Sequence, residues 1–238
     1  MNRRDEILKE MGLAPIWKLR QANSGSEPEL RPDVRENVIR ALTPNSAWIP
    51  LKAEVSGCIQ CGLHKTRTQT VFGVGDEKAE WMLIGEAPGA EEDRLGDPFV
   101  GQAGKLLDNM LASINLARDR NVYIANVLKC RPPGNRNPAP EEVEKCSPYL
   151  LRQIELVGPK LIVAMGRFAA QTLLETDASI SSLRGRVHRY AGVPLVVTYH
   201  PAYLLRTLED KAKAWEDLLF ARKVLSGAAA LPLGPSSP

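Results

Sequence analysis

Four short apolar runs constrain the fold of this 238-residue chain more than any other feature. They lie at residues 81–84, 122–125, 161–164 and 195–198 and contain almost no polar side chains. Continuous apolar runs of this length are typical of strands buried on both faces of a parallel sheet. Helical patterns separate them, and the one at 104–116 places its apolar side chains on one stripe. This alternation predicts an α/β fold, a three-layer α/β/α sandwich around a central four-stranded, mainly parallel sheet.

The two ends of the chain have a different composition from the middle. Residues 1–45 contain a short amphipathic helix signal and then a stretch rich in Gly, Ser, Pro and Glu that can bury little apolar surface. We expect an N-terminal extension there, a short helix followed by a disordered linker. Residues 227–238 consist mostly of Ala, Pro, Gly and Ser and are expected to form a disordered tail. Residues 46–226 are expected to fold as a single domain.

Charge and hydropathy exclude some classes of function. The formal net charge of +3 is too small for a broad cationic surface, so contacts with nucleic acid must come from local patches. No stretch approaches the roughly 20 apolar residues of a membrane span. We expect a cytoplasmic monomer with no membrane contact.

Four cysteines are the only ones in the chain: Cys58, Cys61, Cys130 and Cys146. The chain is long enough to bury a core without disulfides, so we expect reduced thiols. Four thiolates can hold zinc or an iron-sulfur cluster, while buried thiols also occur as inert core groups. The spacing alone leaves these three interpretations open, and His64 is either a further zinc ligand or a surface histidine.

The segment between the last two cysteines, residues 131–138, is too rich in Pro and Asn for a helix or an interior strand. It is predicted to be a loop. Our hypothesis is that a structural metal centre on the cysteines anchors this loop.

Polar residues follow three of the four predicted strands directly. Glu86 follows the first through Gly85, Asn126 follows the second, and His200 lies just beyond the fourth. In open parallel sheets, ligands bind at the carboxyl ends of the strands. Each residue alone has an ordinary structural use: a solvated turn, a pinned turn or a structural hydrogen bond. Their convergence on one edge predicts a shared pocket.

These residues belong to motifs through which the chain resembles the iron-sulfur uracil-DNA glycosylases, known as family 4, over about residues 55–222. The matching segments are 58–61 with 66–68, 85–89 with 92–93, 98–101, 126 with 130–133, and 200–206. The resemblance implies a uracil-DNA glycosylase-like fold and a [4Fe-4S] cluster on the four cysteines. It also implies an enzyme of base excision repair that flips uracil out of double- or single-stranded DNA and hydrolyses its N-glycosidic bond, leaving an abasic site.

Substrate recognition is expected from Asn126, with Gly85 and Phe99. The Asn126 amide can donate to uracil O4 and accept from N3–H, whereas cytosine presents the opposite pattern. Phe99 offers a face for stacking on the base, or is a core residue that closes its loop onto the following helix.

The catalytic residues are expected to be Glu86, His200 and Asn135. Pro201 favours a helix start, which would keep His200 neutral and able to donate a hydrogen bond to uracil O2. Glu86 is expected to orient or deprotonate water. The resemblance also assigns Asn135 to the water.

DNA contacts are expected from Leu204, Arg206 and Arg184. Leu204 with Leu205 would form an apolar wedge and Arg206 would meet a phosphate. Alternatively one or both leucines pack beneath the helix, which the sequence favours for Leu205. Arg184 would line the strand path, or belongs to a solvated basic face.

Hydrolysis with release of the base is predicted, because the short segment 134–138 stands where a covalent branch of the superfamily carries an extended basic loop. The alternative from another class is a catalytically silent, metal-stabilised nucleic-acid binding module.

Overall fold

A computed structural model describes residues 47–228 of the chain. The extension expected at 1–45 and most of the tail expected at 227–238 lie outside the described residues. The described part contains one sheet of six strands, in the spatial order β1-β3-β2-β4-β6-β5. The strands are β1 Val74–Gly75, β2 Trp81–Gly85, β3 Val122–Asn126, β4 Leu161–Met165, β5 His188–Tyr190 and β6 Val193–Thr198.

The four predicted strands form the parallel centre of this sheet. β3, β2, β4 and β6 pair in parallel, and β2, β3 and β4 are buried along their whole length. The sheet has two strands more than predicted, because β1 and β5 add to its edges in antiparallel orientation. These edge strands have two and three residues, and none of their residues is fully buried. They therefore lack the apolar run that marks the central strands.

Helices cover both faces of the sheet. They are α1 Trp48–Ser56, α2 Ala90–Leu95, α3 Gln102–Ala112, α4 Pro140–Val157, α5 Arg167–Leu174, α6 Ile180–Leu183, α7 Pro201–Leu204 and α8 Lys211–Leu225, with 3-10 turns at Gly62–Lys65, Pro133–Asn135 and Leu208–Asp210. α1, α4 and α5 bury apolar side chains in a core on one face, and α3 and α8 do so on the other. Alternate residues of β2 enter the two cores, Met82 the first and Leu83 the second. The predicted three-layer α/β/α sandwich is confirmed.

None of the described helices is long and apolar enough to cross a membrane. The longest, α4, begins at Pro140, whose fixed φ suits a first helical position. The Glu142 carboxylate accepts a hydrogen bond of 2.8 Å from the Ala139 N–H and pairs with Arg136. α4 ends at Gly158 in the left-handed conformation, with φ of 60°. These caps fix the position of the helix that carries Cys146.

Candidate active site

The carboxyl ends of the central strands open into one cavity of about 780 Å³, which we call the active-site cavity. Glu86, His200, Phe99 and Asn135 line it, although they come from four separate segments. Asn126 is not on its wall. Asn126 is 2% exposed and ends β3 opposite Gly85, and its side-chain oxygen and the Phe99 ring both lie close to Gly85. The structure thus brings Glu86 and His200 to a common cavity, whereas Asn126 is buried next to the cavity-lining Phe99.

Asn126 carries an unsatisfied polar atom. Its buried Oδ1 has no hydrogen-bond partner among the described residues. A Cβ added at Gly85 would lie 2.4 Å from this oxygen and 2.7 Å from the Phe99 ring, so residue 85 has to be glycine for this packing. A buried amide oxygen without a partner costs free energy that a ligand donor can recover.

Phe99 is held in an uncommon backbone conformation, with φ of 55°. The Arg118 guanidinium donates to the carbonyl oxygen of Phe99 and, at 2.8 Å, to that of Pro98. The Phe99 carbonyl also occupies the space that a Cβ on Gly104 would need. The ring belongs to the core and its centroid lies 5.4 Å from that of His200, with 32° between the planes. The interpretation of Phe99 as a core residue is therefore confirmed, and stacking on a base stays a prediction for this cavity-lining ring.

His200 caps the short helix α7. Its Nδ1 accepts a hydrogen bond of 3.1 Å from the Ala202 N–H, so the neutral ring carries its proton on Nε2. Burial, with a smaller contribution from the Arg206 charge, lowers the pKa of His200 to about 4. Burial is the largest cause of this lowered pKa, so the imidazole is expected to be neutral at neutral pH.

Two carboxylates face the active-site cavity. Burial raises the pKa of Glu86, and the positive charge of Arg167 partly opposes that rise. Glu92, which sequence reasoning quoted in a motif but did not assign to the site, is the second. Its Oε1 accepts from the N–H groups of Val100 and Gly101 at 3.0 and 3.1 Å. Glu92 therefore fixes the loop that carries Phe99.

Asn135 lies at the exposed rim of the cavity, in the 3-10 turn Pro133–Asn135. Its φ is 54°, a region that Asn tolerates better than most residues. The side-chain oxygen accepts a hydrogen bond of 2.7 Å from Arg131 Nε. That contact leaves the Asn135 amide NH₂ as its available donor.

The structure reverses the assignment of the two leucines. It also contradicts the expected contact of Arg184 with DNA. Leu204 is 1% exposed and packs in the interior, whereas Leu205 is 43% exposed. Arg184 is bound by Asp217 at 2.7 Å and lies over the Tyr199 ring at 5.0 Å. A side chain held by these contacts is not available to a phosphate. Arg206 is exposed and lines the cavity, as a phosphate contact requires.

Three further residues on the cavity wall were missed by sequence reasoning. Tyr199 and Tyr203 stack at 5.3 Å with 14° between their ring planes, and Arg167 is the first residue of α5. The single signal in the sequence was that both tyrosines flank His200. Nothing in the sequence placed Arg167 beside Glu86.

The four cysteines line a second, smaller cavity, which we call the cysteine site. All four thiols are free of disulfides. Arg67 donates to Cys130 Sγ at 3.0 Å, and the Lys129 N–H donates to Cys146 Sγ at 3.3 Å. Burial raises the pKa of Cys146 to about 11. Within residues 47–228, no three His, Cys, Asp or Glu side chains are close enough to surround a single metal ion.

This fold, with a cavity at the carboxyl edge of its sheet, is that of the uracil DNA glycosylase superfamily, whose family model matches residues 72–219. A type-4 uracil-DNA glycosylase from Archaeoglobus fulgidus is 54% identical over 160 residues, 64% of this chain and 80% of that protein. Those of Sulfurisphaera tokodaii and Pyrobaculum aerophilum are 44% and 43% identical, over 73% and 69% of this chain and 85% and 87% of theirs. The chain belongs to the type-4 uracil-DNA glycosylase family.

Proposed function

We propose that this protein excises uracil from DNA by hydrolysis of the N-glycosidic bond, as a step of base excision repair. One observation carries the proposal. His200, neutral and protonated on Nε2, shares a cavity with Glu86, whose pKa is raised by burial. Cleavage of this bond needs one group that donates a hydrogen bond to the departing base and one that accepts a proton from water. His200 can be the donor and Glu86 the acceptor.

Recognition begins with extrusion of the nucleotide, because a base inside a duplex cannot reach a cavity. Asn126 would then meet the uracil edge. Its buried Oδ1 lacks a donor, and the N3–H of uracil is a donor that can satisfy it. Cytosine has no hydrogen at N3, so it would leave this oxygen unpaired and would bind less well. Phe99 lines the cavity beside His200, where its ring would contact the base.

The bond between C1′ and N1 breaks with its electron pair going to uracil. Nε2–H of His200 donates to O2, where negative charge develops, and the imidazole need not be charged to do so. Glu86, as carboxylate, stabilises positive charge on the sugar and accepts a proton from the water that attacks C1′. The Asn135 amide at the rim is a second group that can orient this water.

The cysteine site supports a [4Fe-4S] cluster held by Cys58, Cys61, Cys130 and Cys146. Four free thiols line one cavity, and two N–H groups point at their sulfurs, as is common around sulfur-ligated metals. A cluster is larger than one ion, so its ligands need not approach each other as closely. When bound, it supplies a rigid cross-link between Cys58–Cys61, the segment after β3, and α4. The loop that carries Asn135 lies between two of its ligands.

The DNA partner would approach the open side of the active-site cavity, where Arg206 and Leu205 are exposed. We assign the apolar wedge to Leu205 and the phosphate contact to Arg206. The proposed substrates are uracil-containing duplexes and single strands, and the proposed form of the protein is a cytoplasmic monomer.

The decisive experiment incubates purified protein with matched oligonucleotides containing one uracil, one thymine or one cytosine, followed by alkali to cut abasic sites. We expect cleavage of the uracil strand only. The alternative of a silent binding module predicts none. Glu86→Gln and His200→Ala should leave DNA affinity mostly unchanged under both hypotheses, but only the glycosylase has an excision activity that these substitutions remove.

A further inference from the structure

Lys129 is a lysine in the protein interior, with 1% of its surface exposed. Its ammonium donates hydrogen bonds of 2.8 Å to the carbonyl oxygen of Asn126 and 2.6 Å to Gln153 Oε1. Both acceptors are neutral, and Lys129 forms no ion pair with a carboxylate of the described residues. A buried charge without a counter-charge costs several kcal/mol, so this cation needs another source of compensation.

The proposed source is the cysteine site. Lys129 lines its wall, precedes Cys130 in the chain, and donates its backbone N–H to Cys146 Sγ. Four thiolates outweigh the positive charge of either a zinc ion or a [4Fe-4S] core, so a loaded cysteine site is anionic. A positive side chain that is sealed from water beside an anionic site is compensated in the way that buried charges require.

The other end of the contact is Asn126, the residue proposed to read uracil. The segment between Asn126 and Cys130 is pinned to β2 by two hydrogen bonds, from Val127 N–H to the Gly85 carbonyl at 3.0 Å and from Leu128 N–H to the Glu86 carbonyl at 3.1 Å. The Lys129 ammonium adds a third hydrogen bond, which it donates from the protein interior to the carbonyl oxygen of Asn126.

Gln153 extends the contact to the rest of the fold. It is fully buried on α4, the helix that also carries Cys146, and its Nε2 donates to the Phe72 carbonyl and to the Tyr123 hydroxyl. Through Gln153, the ammonium is fixed between α4 and the end of β3. Movement of α4 at the cysteine site would therefore reach Asn126 through two hydrogen bonds.

We infer that Lys129 is a positioning residue that links the cysteine site to substrate recognition: the anionic site holds the ammonium in the interior, and the ammonium holds Asn126 against Gly85. The inference rests on the proposed function. It deepens the role of the cysteine site, because the metal centre then acts on the uracil-reading side chain as well as on the loop of Asn135.

The test compares Lys129→Met with Lys223→Met in the holoprotein. Lys223 is exposed on α8, which packs against the face of the sheet opposite the core that contains Cys130 and Cys146. We expect Lys129→Met to lower uracil excision by roughly 10- to 100-fold, the loss of a hydrogen bond from a charged donor, and to bind its iron less firmly. Lys223→Met should match the wild type in both. Amide hydrogen exchange at Val127 and Leu128 should speed up in Lys129→Met alone.

A double-mutant cycle separates positioning from general damage. In an Asn126→Ala background, Lys129→Met should cause little further loss of excision, because the side chain that it positions is gone. If Lys129→Met does not fold, Gln153→Met, which removes one of the two acceptors, should show a smaller loss with the same non-additivity.

Equal losses in both backgrounds, or wild-type excision, iron retention and amide exchange in Lys129→Met, would overturn the inference. If the wild-type protein does not excise uracil, the proposed function fails. Iron retention and amide exchange still report on Lys129 in that case, so the two failures are distinguishable.

Discussion

The side-chain oxygen of Asn126 rests against the backbone of Gly85, so closely that a Cβ at position 85 would come within 2.4 Å of it. The same Cβ would come within 2.7 Å of the Phe99 ring. Gly85→Ala must therefore displace Asn126, Phe99 or both. We expect uracil excision to fall by roughly 100-fold or more, since an ångström of misplacement at a reacting site has that effect. Single-turnover excision assays measure it.

The matched control is Gly62→Ala, because a Cβ there would meet no atom within 4 Å. It should excise uracil at the wild-type rate. Wild-type activity in Gly85→Ala would show that the packing of Asn126 against Gly85 has no part in recognition.

The protonation of Glu86 is expected to determine how the excision rate falls at acid pH. Burial raises its pKa above the ordinary 4.5, and water activation needs the carboxylate form, so excision should fall as pH drops while still above 4.5. His200 has a pKa of about 4 and stays neutral throughout that range, so it adds no step near its ordinary 6.5. Single-turnover rates against pH test this, with the acid step absent in Glu86→Gln. A step near 6.5 that disappears in His200→Ala would contradict it.

Glu86→Gln should also separate catalysis from stability. Excision is expected to fall by roughly 10²- to 10⁴-fold, the usual contribution of a general base. An acid whose pKa is raised in the folded state loses stability as pH rises through its titration range, so the neutral amide should unfold at a slightly higher temperature than the wild type at neutral pH. Lower stability at neutral pH would show that the Glu86 carboxylate is favourably paired, by Arg167 for example.

Arg118 holds Phe99 in its left-handed conformation, so Arg118→Ala should release the Phe99 loop. The Pro98 and Phe99 carbonyls would lose their donor, at a cost of about 1–3 kcal/mol in unfolding free energy. Excision should fall more steeply than DNA affinity. Arg120→Ala, on the exposed turn nearby, should change neither the denaturant midpoint nor excision. Unchanged excision in Arg118→Ala would mean that Phe99 keeps its place without this clamp.

The centre of the fold was predictable from sequence because its signal is local. Each central strand is buried on both faces and so appears as an uninterrupted apolar run. A helix was expected at 104–116, and α3 is found at Gln102–Ala112. The edge strands β1 and β5 carry no such signal, because their pairing with β3 and β6 is set by the folded sheet and not by their own residues.

The site was predictable to the extent that it follows from topology. Glu86 and His200 reach one cavity because they follow parallel strands. The sequence could not show whether a given side chain points into the core or towards solvent. Leu204 and Leu205 are adjacent leucines, and the packing of α7 against α3 decides which is buried. Arg184 is held by Asp217, 33 residues away, so no local pattern distinguishes it from a solvated arginine.

Substitutions of Leu204 and Leu205 are expected to have different effects, one on stability and the other on excision. Leu205→Ala should weaken excision from duplex DNA more than from single strands, because a wedge replaces a base only where a stack has been vacated. Its unfolding temperature should stay near the wild type. Leu204→Ala should instead cost about 2–5 kcal/mol of stability through a core cavity. Equal effects of Leu205→Ala on duplex and single-stranded substrates would contradict the assignment of Leu205 as an apolar wedge.

The cysteine site is expected to support both the fold and uracil excision. Cys130→Ser removes one of the four proposed cluster ligands at the end of the segment that begins at Asn126, so visible absorbance, thermal stability and excision should be lost together. Ser147→Ala is the control, because its hydroxyl only bonds the Val143 carbonyl one helical turn back on α4. Iron content, a melting curve and uracil excision are measured on the same preparations. An iron-free Cys130→Ser protein with wild-type melting and excision would mean that the metal centre supports neither the fold nor the site, because Asn126 would then hold its position against Gly85 without it.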